Sequence, residues 1–141
     1  MATIAEVLMA KGAGVVVAGP DSTVHEAAAL MGEANVGSII VKEDDEVRGI
    51  FTERDLLKRV IGKGLDPRTT PLKLVMSAPV RSCGLGASLE SVLRMLTAEH
   101  IRHLVVLEDG ALVGLIGLRD VLSALLHEKE QELDDLLHEE R

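Results

Sequence analysis

Gly49-Ile50-Phe51-Thr52-Glu53-Arg54-Asp55 and Gly114-Leu115-Ile116-Gly117-Leu118-Arg119-Asp120 are one pattern written twice, 65 residues apart. In each, a glycine and two apolar residues run into a turn that closes on Arg-Asp. Outward from this pair the register holds without a gap, residues 21–57 lying over 86–122. Val41, Glu43, Asp44 and Leu57 meet Val106, Glu108, Asp109 and Leu122 as further identities, and Val36, Ile39 and Ile40 fall on Ile101, Leu104 and Val105. An ungapped register with matched apolar positions marks an internal repeat, and a repeat constrains the fold more than any single element. The segments ahead of the two copies also correspond, Ile4 to Met9 resembling Pro71 to Met76 at an offset of 67.

Each copy has the same local grammar. Thr23 precedes the helical run Val24, Ala27, Ala28, Leu30, Met31, with Glu26 three residues on, the pattern of a capping box. Ser88 stands in the same place before Leu89, Val92, Leu93, Met95 and Leu96. β-Branched runs follow at 36–41 and 101–106, then acidic turns at Glu43-Asp44-Asp45 and Glu108-Asp109-Gly110, then short strands at 47–51 and 112–116. Helices start near Glu53 and Leu118, and Gly62-Lys63-Gly64-Leu65-Asp66-Pro67 breaks the first of them. The predicted order per copy is lead-in strand, helix, strand, strand, helix. The fold class is α/β, with small mixed sheets and helices on their outer faces. A half of about 60 residues closes a core only with difficulty. Two halves packed about a pseudo-twofold axis solve this, and the cleft between their sheets is the natural ligand site. The predicted boundaries are 1–66 for the first motif, 67–126 for the second, and 127–141 for an acidic helical tail.

Composition narrows the function. The 141 residues are 47% hydrophobic and 27% charged, neither a disordered nor a membrane composition. No apolar run approaches the ~18 residues of a membrane helix, and the start is not that of a signal peptide. A single cysteine, Cys83, forms no internal disulfide and points to a cytoplasmic protein. The net charge of −8 argues against nucleic acid or anionic lipid as a partner. Phe51 is the lone aromatic residue, so a bound flat ring is held by aliphatic side chains and backbone. The histidines have no metal-ligand spacing, Cys83 has no base beside it in sequence, and no Gly-rich phosphate loop is present. No nucleophile or acid–base pair can be assigned, and the chain reads as a non-enzyme without a catalytic cofactor.

With these residues in hand, the chain resembles a tandem pair of cystathionine β-synthase (CBS) domains, the Bateman module, of the stand-alone type. The resemblance rests on Pro20-Asp21-Ser22-Thr23-Val24-His25-Glu26-Ala27, on Ile101-Arg102-His103-Leu104-Val105-Val106 and on the two stretches quoted first, and it covers roughly 4–126. It implies a βαββα unit, a regulatory role, and an adenosine-containing ligand in the inter-domain cleft: AMP first, with ADP, ATP, NAD or S-adenosylmethionine as others. Gly49, Thr52 and Asp55 match the family's ribose motif, with Arg54 inside it. A carboxylate there takes two neighbouring hydroxyls at once. Thr52-Glu53-Arg54-Asp55 equally fits a capping box. Arg102 and His103 are implied to meet the phosphate; a surface salt bridge of Arg102 to Glu99 or Glu108 is the other reading. Val16 and Val17, with Val36, Gly37 and Ser38, are where the resemblance puts the adenine, and they serve equally as sheet core. The second site is expected to be weaker: Asp120 keeps the carboxylate, but Gly117 stands where the hydroxyl was, and Gly37 and Ser38 stand where Arg102 and His103 were. A scaffolding or oligomerisation module with no ligand is the alternative function. Leu122, Leu125, Leu126, Leu133, Leu136 and Leu137 recur at helical spacing, and the later ones have nothing left in the chain to cover them, so a homodimer is expected. The downstream target protein is not legible.

Overall fold

The computed structural model of the chain describes residues 2–11 and 14–139. They form two compact units, Gly14–Val80 and the pair Met1–Ala13 with Arg81–Arg141.

In the unit 14–80, β1 (Val17–Ala18) runs parallel to β2 (Ser38–Glu43), which pairs antiparallel with β3 (Glu46–Thr52). The β2–β3 turn passes through Asp44 at φ 54, a left-handed position that aspartate tolerates. Between β1 and β2 lies α2 (Val24–Ala34), which starts where the hydroxyl of Thr23 accepts from the Glu26 amide at 3.1 Å. Only this half of the expected capping box forms: Glu26 is exposed and its carboxylate makes no return bond among the described residues. Val24, Ala27 and Met31, spaced three and four apart, turn one stripe of the helix onto the sheet and are buried with Ile39, Val41 and Phe51. After β3 the chain enters α3 (Glu53–Asp55), which runs on in π-helical form through Leu56–Ile61. It stops at Gly62, where the sequence places its breaker.

The other unit repeats this element by element at the offset of 65. It comprises β4 (Ser82–Cys83), α4 (Leu89–Ala98), β5 (His103–Glu108), β6 (Ala111–Gly117) and α5 (Leu118–Glu139), in the sheet order β4-β5-β6. Even the strand irregularity recurs, after Val41 in one sheet and after Val106 in the other. The first turns of α5 cover the sheet through Val121, and the core gathers Leu89, Val92, Leu96, Leu104, Val106 and Ile116.

The compact units exchange their lead-in segments. The segment before each copy folds onto the sheet that does not follow it in sequence. Residues 70–77 join the first sheet: the Leu72 amide donates to Ser22 O, and Ile50 and Ser77 exchange both backbone bonds at 3.0 and 2.8 Å. Helix α1 (Ile4–Lys11) joins the second: the amides of Ile4 and Ala5 donate to Ala87 O and Leu85 O. Ile4 and Leu72 are both fully buried. They answer each other at an offset of 68, one more than the sequence match of 67. The reason is visible at the repeated glycines. A Cβ on Gly49 would stand 2.6 Å from Met76 Sδ, and one on Gly114 would stand 2.9 Å from Leu8 Cδ2. Each glycine therefore lets a lead-in segment lie directly on the strand.

Candidate functional site: two helix-start carboxylates

Strand pairing brings most of the first set of candidates together. Ser38 is the cross-strand partner of Thr52, and the Glu53 amide donates to Gly37 O at 3.0 Å. Val36, Gly37 and Ser38 thus lie beside the β3–α3 turn that carries Thr52, Arg54 and Asp55. Ser38 is buried, Gly37 is half-buried and Val36 is exposed. Val16 and Val17 lie on the far side of β2, where Val17 pairs with Ile40. Val16 packs on the core, as its plainer reading holds, whereas Val17 is exposed. Arg54 is exposed and has no ion pair among the described residues.

Asp55 is buried and its carboxylate is fully engaged. Oδ2 accepts from the Thr52 amide at 3.0 Å and from the Thr52 hydroxyl at 3.2 Å, and the Asp55 amide donates back to Thr52 Oγ1, a complete capping box. Oδ1 accepts from Ser77 Oγ at 2.9 Å and faces Arg59 Nε at 3.5 Å. A buried carboxylate needs such partners to stay charged. Ser77 and Arg59 were not among the sequence candidates. Ser77 comes from the lead-in segment, which sequence order alone places with the other motif. Arg59 lies four residues beyond Asp55 on the same helix, a spacing that could have identified it.

The second carboxylate is built differently. His103 is the cross-strand partner of Gly117, and the Leu118 amide donates to Arg102 O at 2.8 Å, so Arg102 and His103 share a unit with Gly117 and Asp120. Asp120 Oδ2 accepts from the Gly117 amide at 2.8 Å; with no hydroxyl at 117, only the backbone half of the box remains. Lys11, at the end of α1, supplies the rest: its Nζ donates to Asp120 Oδ2 at 2.9 Å and to Leu115 O at 3.0 Å. A cation therefore stands beside Asp120, which the sequence comparison with Gly37 and Ser38 did not reveal. Its signal was hidden because Lys11 belongs to a segment more than a hundred residues away. Asp120 is half-buried, and its Oδ1 accepts no hydrogen bond among the described residues. Arg102 is exposed and makes no ion pair among them, so the alternative salt bridge to Glu99 or Glu108 does not form; Glu99 pairs with Arg81 at 3.0 Å.

Other places offer less. Burial raises the Cys83 thiol above its ordinary pKa, which lowers its thiolate fraction. No group of three His, Cys, Asp or Glu among the described residues could hold a metal. A shallow cleft lined by Pro20, Asp21, Glu43, Arg48, Lys73 and Met76 has its charges paired, Lys73 with Asp21 at 2.8 Å and Arg48 with Glu43 at 3.2 Å. The Asp21 hydrogen bond raises the Lys73 pKa. No helix among the described residues is long and apolar enough to cross a membrane.

The repeated architecture has known counterparts. The CBS domain family model matches twice, over residues 4–62 and 72–127. The CBS domain-containing protein YhcV of Bacillus subtilis is 36% identical over 102 residues, covering 72% of this chain and 72% of YhcV. The mitochondrial CBS domain-containing protein CBSX3 of Arabidopsis thaliana is 30% identical over 121 residues, 82% of this chain but 59% of CBSX3. Of solved structures, the CBS domain NE2398 superposes with a TM-score of 0.84 at 31% identity, covering 89% of this chain and 98% of that one. PAE2072 of Pyrobaculum aerophilum, a CBS domain protein complexed with AMP, superposes with a TM-score of 0.75 at 23% identity, covering 84% of this chain and 89% of that one, a likeness of fold. The chain belongs to the CBS domain family and carries two CBS motifs in tandem.

Proposed function

We propose that this chain is a regulatory module that binds an adenine nucleotide, AMP before ADP, ATP, NAD or S-adenosylmethionine. The observation that carries the proposal is the convergence of Gly37, Ser38, Thr52 and Asp55 on one strand end, where Ser38 and Thr52 are cross-strand partners and Asp55 lies one helical turn on. Backbone beside Gly37 and the aliphatic Val36 suit adenine, and the carboxylate suits a ribose diol, taking its hydroxyls in exchange for the Ser77 hydroxyl. Arg102 and His103 are the candidates to hold phosphate on the ground of their chemistry, Arg102 through its planar fork. That a protein of the same fold was solved with AMP supports the reading at the level of fold. Differential affinity for two arrangements of the chain would turn nucleotide concentration into a change of shape.

The full engagement of Asp55 favours the second reading, an oligomerisation module without ligand. Calorimetric titration with AMP separates the two. On the first reading Asp55→Ala weakens AMP more than about tenfold, the value of a lost charge-assisted hydrogen bond. Changing Arg102 and His103 to Ala weakens AMP but not adenosine. If Asp55→Ala lowers only the melting temperature and leaves AMP affinity unchanged, the carboxylate is a helix cap and the nucleotide reading fails.

A homodimer fits either reading. Leu57 and Ile61 are 67% and 56% exposed, and their repeat equivalents Leu122 and Leu126 are 47% and 61% exposed. The repeat keeps an uncovered apolar pair, one helical turn apart, on the last helix of each motif. A second copy is the proposed cover, and a sedimentation mass near one chain at micromolar concentration would sink this.

A further inference from the structure

The last turns of α5 lie beyond the second family match, which ends at residue 127. Every residue from Lys129 to His138 is exposed, the leucines included: Leu133 at 59%, Leu136 at 57% and Leu137 at 56%. At 100° per residue these three fall with Leu126 on one stripe about 100° wide, the width of a face that a globular protein turns inward. Residues 128–139 carry six carboxylates, Glu128, Glu130, Glu132, Asp134, Asp135 and Glu139, against the one cation Lys129, which pairs with Glu132 within the helix.

We propose that this leucine stripe with its acidic surround docks a basic amphipathic helix of another protein. The charge selects the occupant. A second copy of the tail would set the same carboxylates against each other, Glu130 and Glu132 flanking the seam on both sides, and like charges at the flanks of a helix pair oppose it. Anionic membranes are disfavoured for the same reason, since helices that lie on them have basic polar faces. A partner helix with leucines facing the stripe and lysines or arginines beside it buries the apolar face and answers the charge together. This surface is independent of the nucleotide reading and meets the proposed dimer contact only at Leu126, its own leucines being Leu133, Leu136 and Leu137.

The test uses the whole chain and three synthetic peptides of equal length. One has leucine on one helical face and lysine on the other, one has the same composition scrambled, and one has glutamate for lysine. Fluorescence anisotropy should show binding of the first alone. The affinity should fall at least about tenfold in a Leu133→Ser/Leu137→Ser variant, and several-fold between about 50 and about 500 mM salt. The substituted positions are exposed, so the variant keeps its circular dichroism and melting temperature. Equal binding of the scrambled or glutamate peptide overturns the proposal, as does an unchanged affinity in the variant. Light scattering supplies the last arm: if the double substitution halves the mass of the chain, the stripe is covered by a second copy and not by a foreign helix.

Discussion

Asp55 and Asp120 occupy the same position in two copies of one pattern, and the chain has put them to different uses. Asp55 is sunk into its unit, with Thr52 completing the cap and Ser77 and Arg59 holding the other oxygen. Asp120 has lost the hydroxyl to Gly117, stays half-open, and is held by a lysine ammonium. In both units the lead-in segment delivers the outside partner: a neutral hydroxyl at Asp55, a full charge at Asp120. A repeat therefore preserves a position more faithfully than its role, because the role depends on what a distant segment brings to it.

The contrast can be broken at several depths. The deepest concerns the lead-in segments themselves. Leu72→Ala and Ile4→Ala should each cost about 2–5 kcal/mol, since both side chains are fully buried and neither site can collapse around a missing branch without moving the segment. Denaturant melts would check it; a loss below 1 kcal/mol at Leu72 would mean that the segment is not part of the first core. Next come the carboxylates. Asp55→Ala should destabilise by about 2 kcal/mol or more, from the lost cap and the charge-assisted bonds. Asp120→Ala should cost less than about 1 kcal/mol, because its ion pair is 39% and 28% exposed at its two ends. Equal losses would erase the distinction drawn between the two units.

Smaller effects sharpen the same comparison. Lys11→Met should cost about 0.5 kcal/mol at low salt and nothing at high salt, the behaviour of an exposed ion pair. A salt-independent loss would assign Lys11 to packing through its aliphatic stem. Smallest is the restoration of the missing hydroxyl. Gly117→Thr should stabilise by a few tenths of a kcal/mol, because glycine is already a tolerable cap. The new Cβ would meet Asp120 Oδ2 at 3.3 Å, so the carboxylate must give slightly. A clear destabilisation in the melting curve would show that it cannot.

The fold was legible because its signals are local. Thr23 and Ser88 announce their helices, the β-branched runs their strands, and the offset of 65 is kept through strand register and bulge. The capping box at Thr52 was legible for the same reason, being a contact over three residues. What stayed hidden is non-local. Nothing in the order of residues says that Ser77 reaches Asp55 or that Lys11 reaches Asp120, since both depend on lead-in segments crossing to the other copy's sheet. The offset of 67 misses by one because the two segments share few residues, whereas burial of Ile4 and Leu72 fixes 68. Glu26 misled in the opposite sense: its spacing suits a return bond, but an exposed carboxylate near a helix start is satisfied by water and needs none.

The crossing of the lead-in segments also sets an order on the ribosome. The unit 14–80 is one continuous stretch, so its sheet, helices and own covering segment are complete as soon as residue 80 clears the exit tunnel. Helix α1 is made earlier, but the carbonyls that receive it, Leu85 O and Ala87 O, do not yet exist. Translation at about 5–20 residues per second leaves α1 unpartnered for several seconds while the rest is made. Ile4, Val7 and Leu8 are thus apolar surface in the nascent chain and buried or half-buried surface in the finished one. Within this stretch the most exposed moment falls on α1, before the second sheet arrives to receive it.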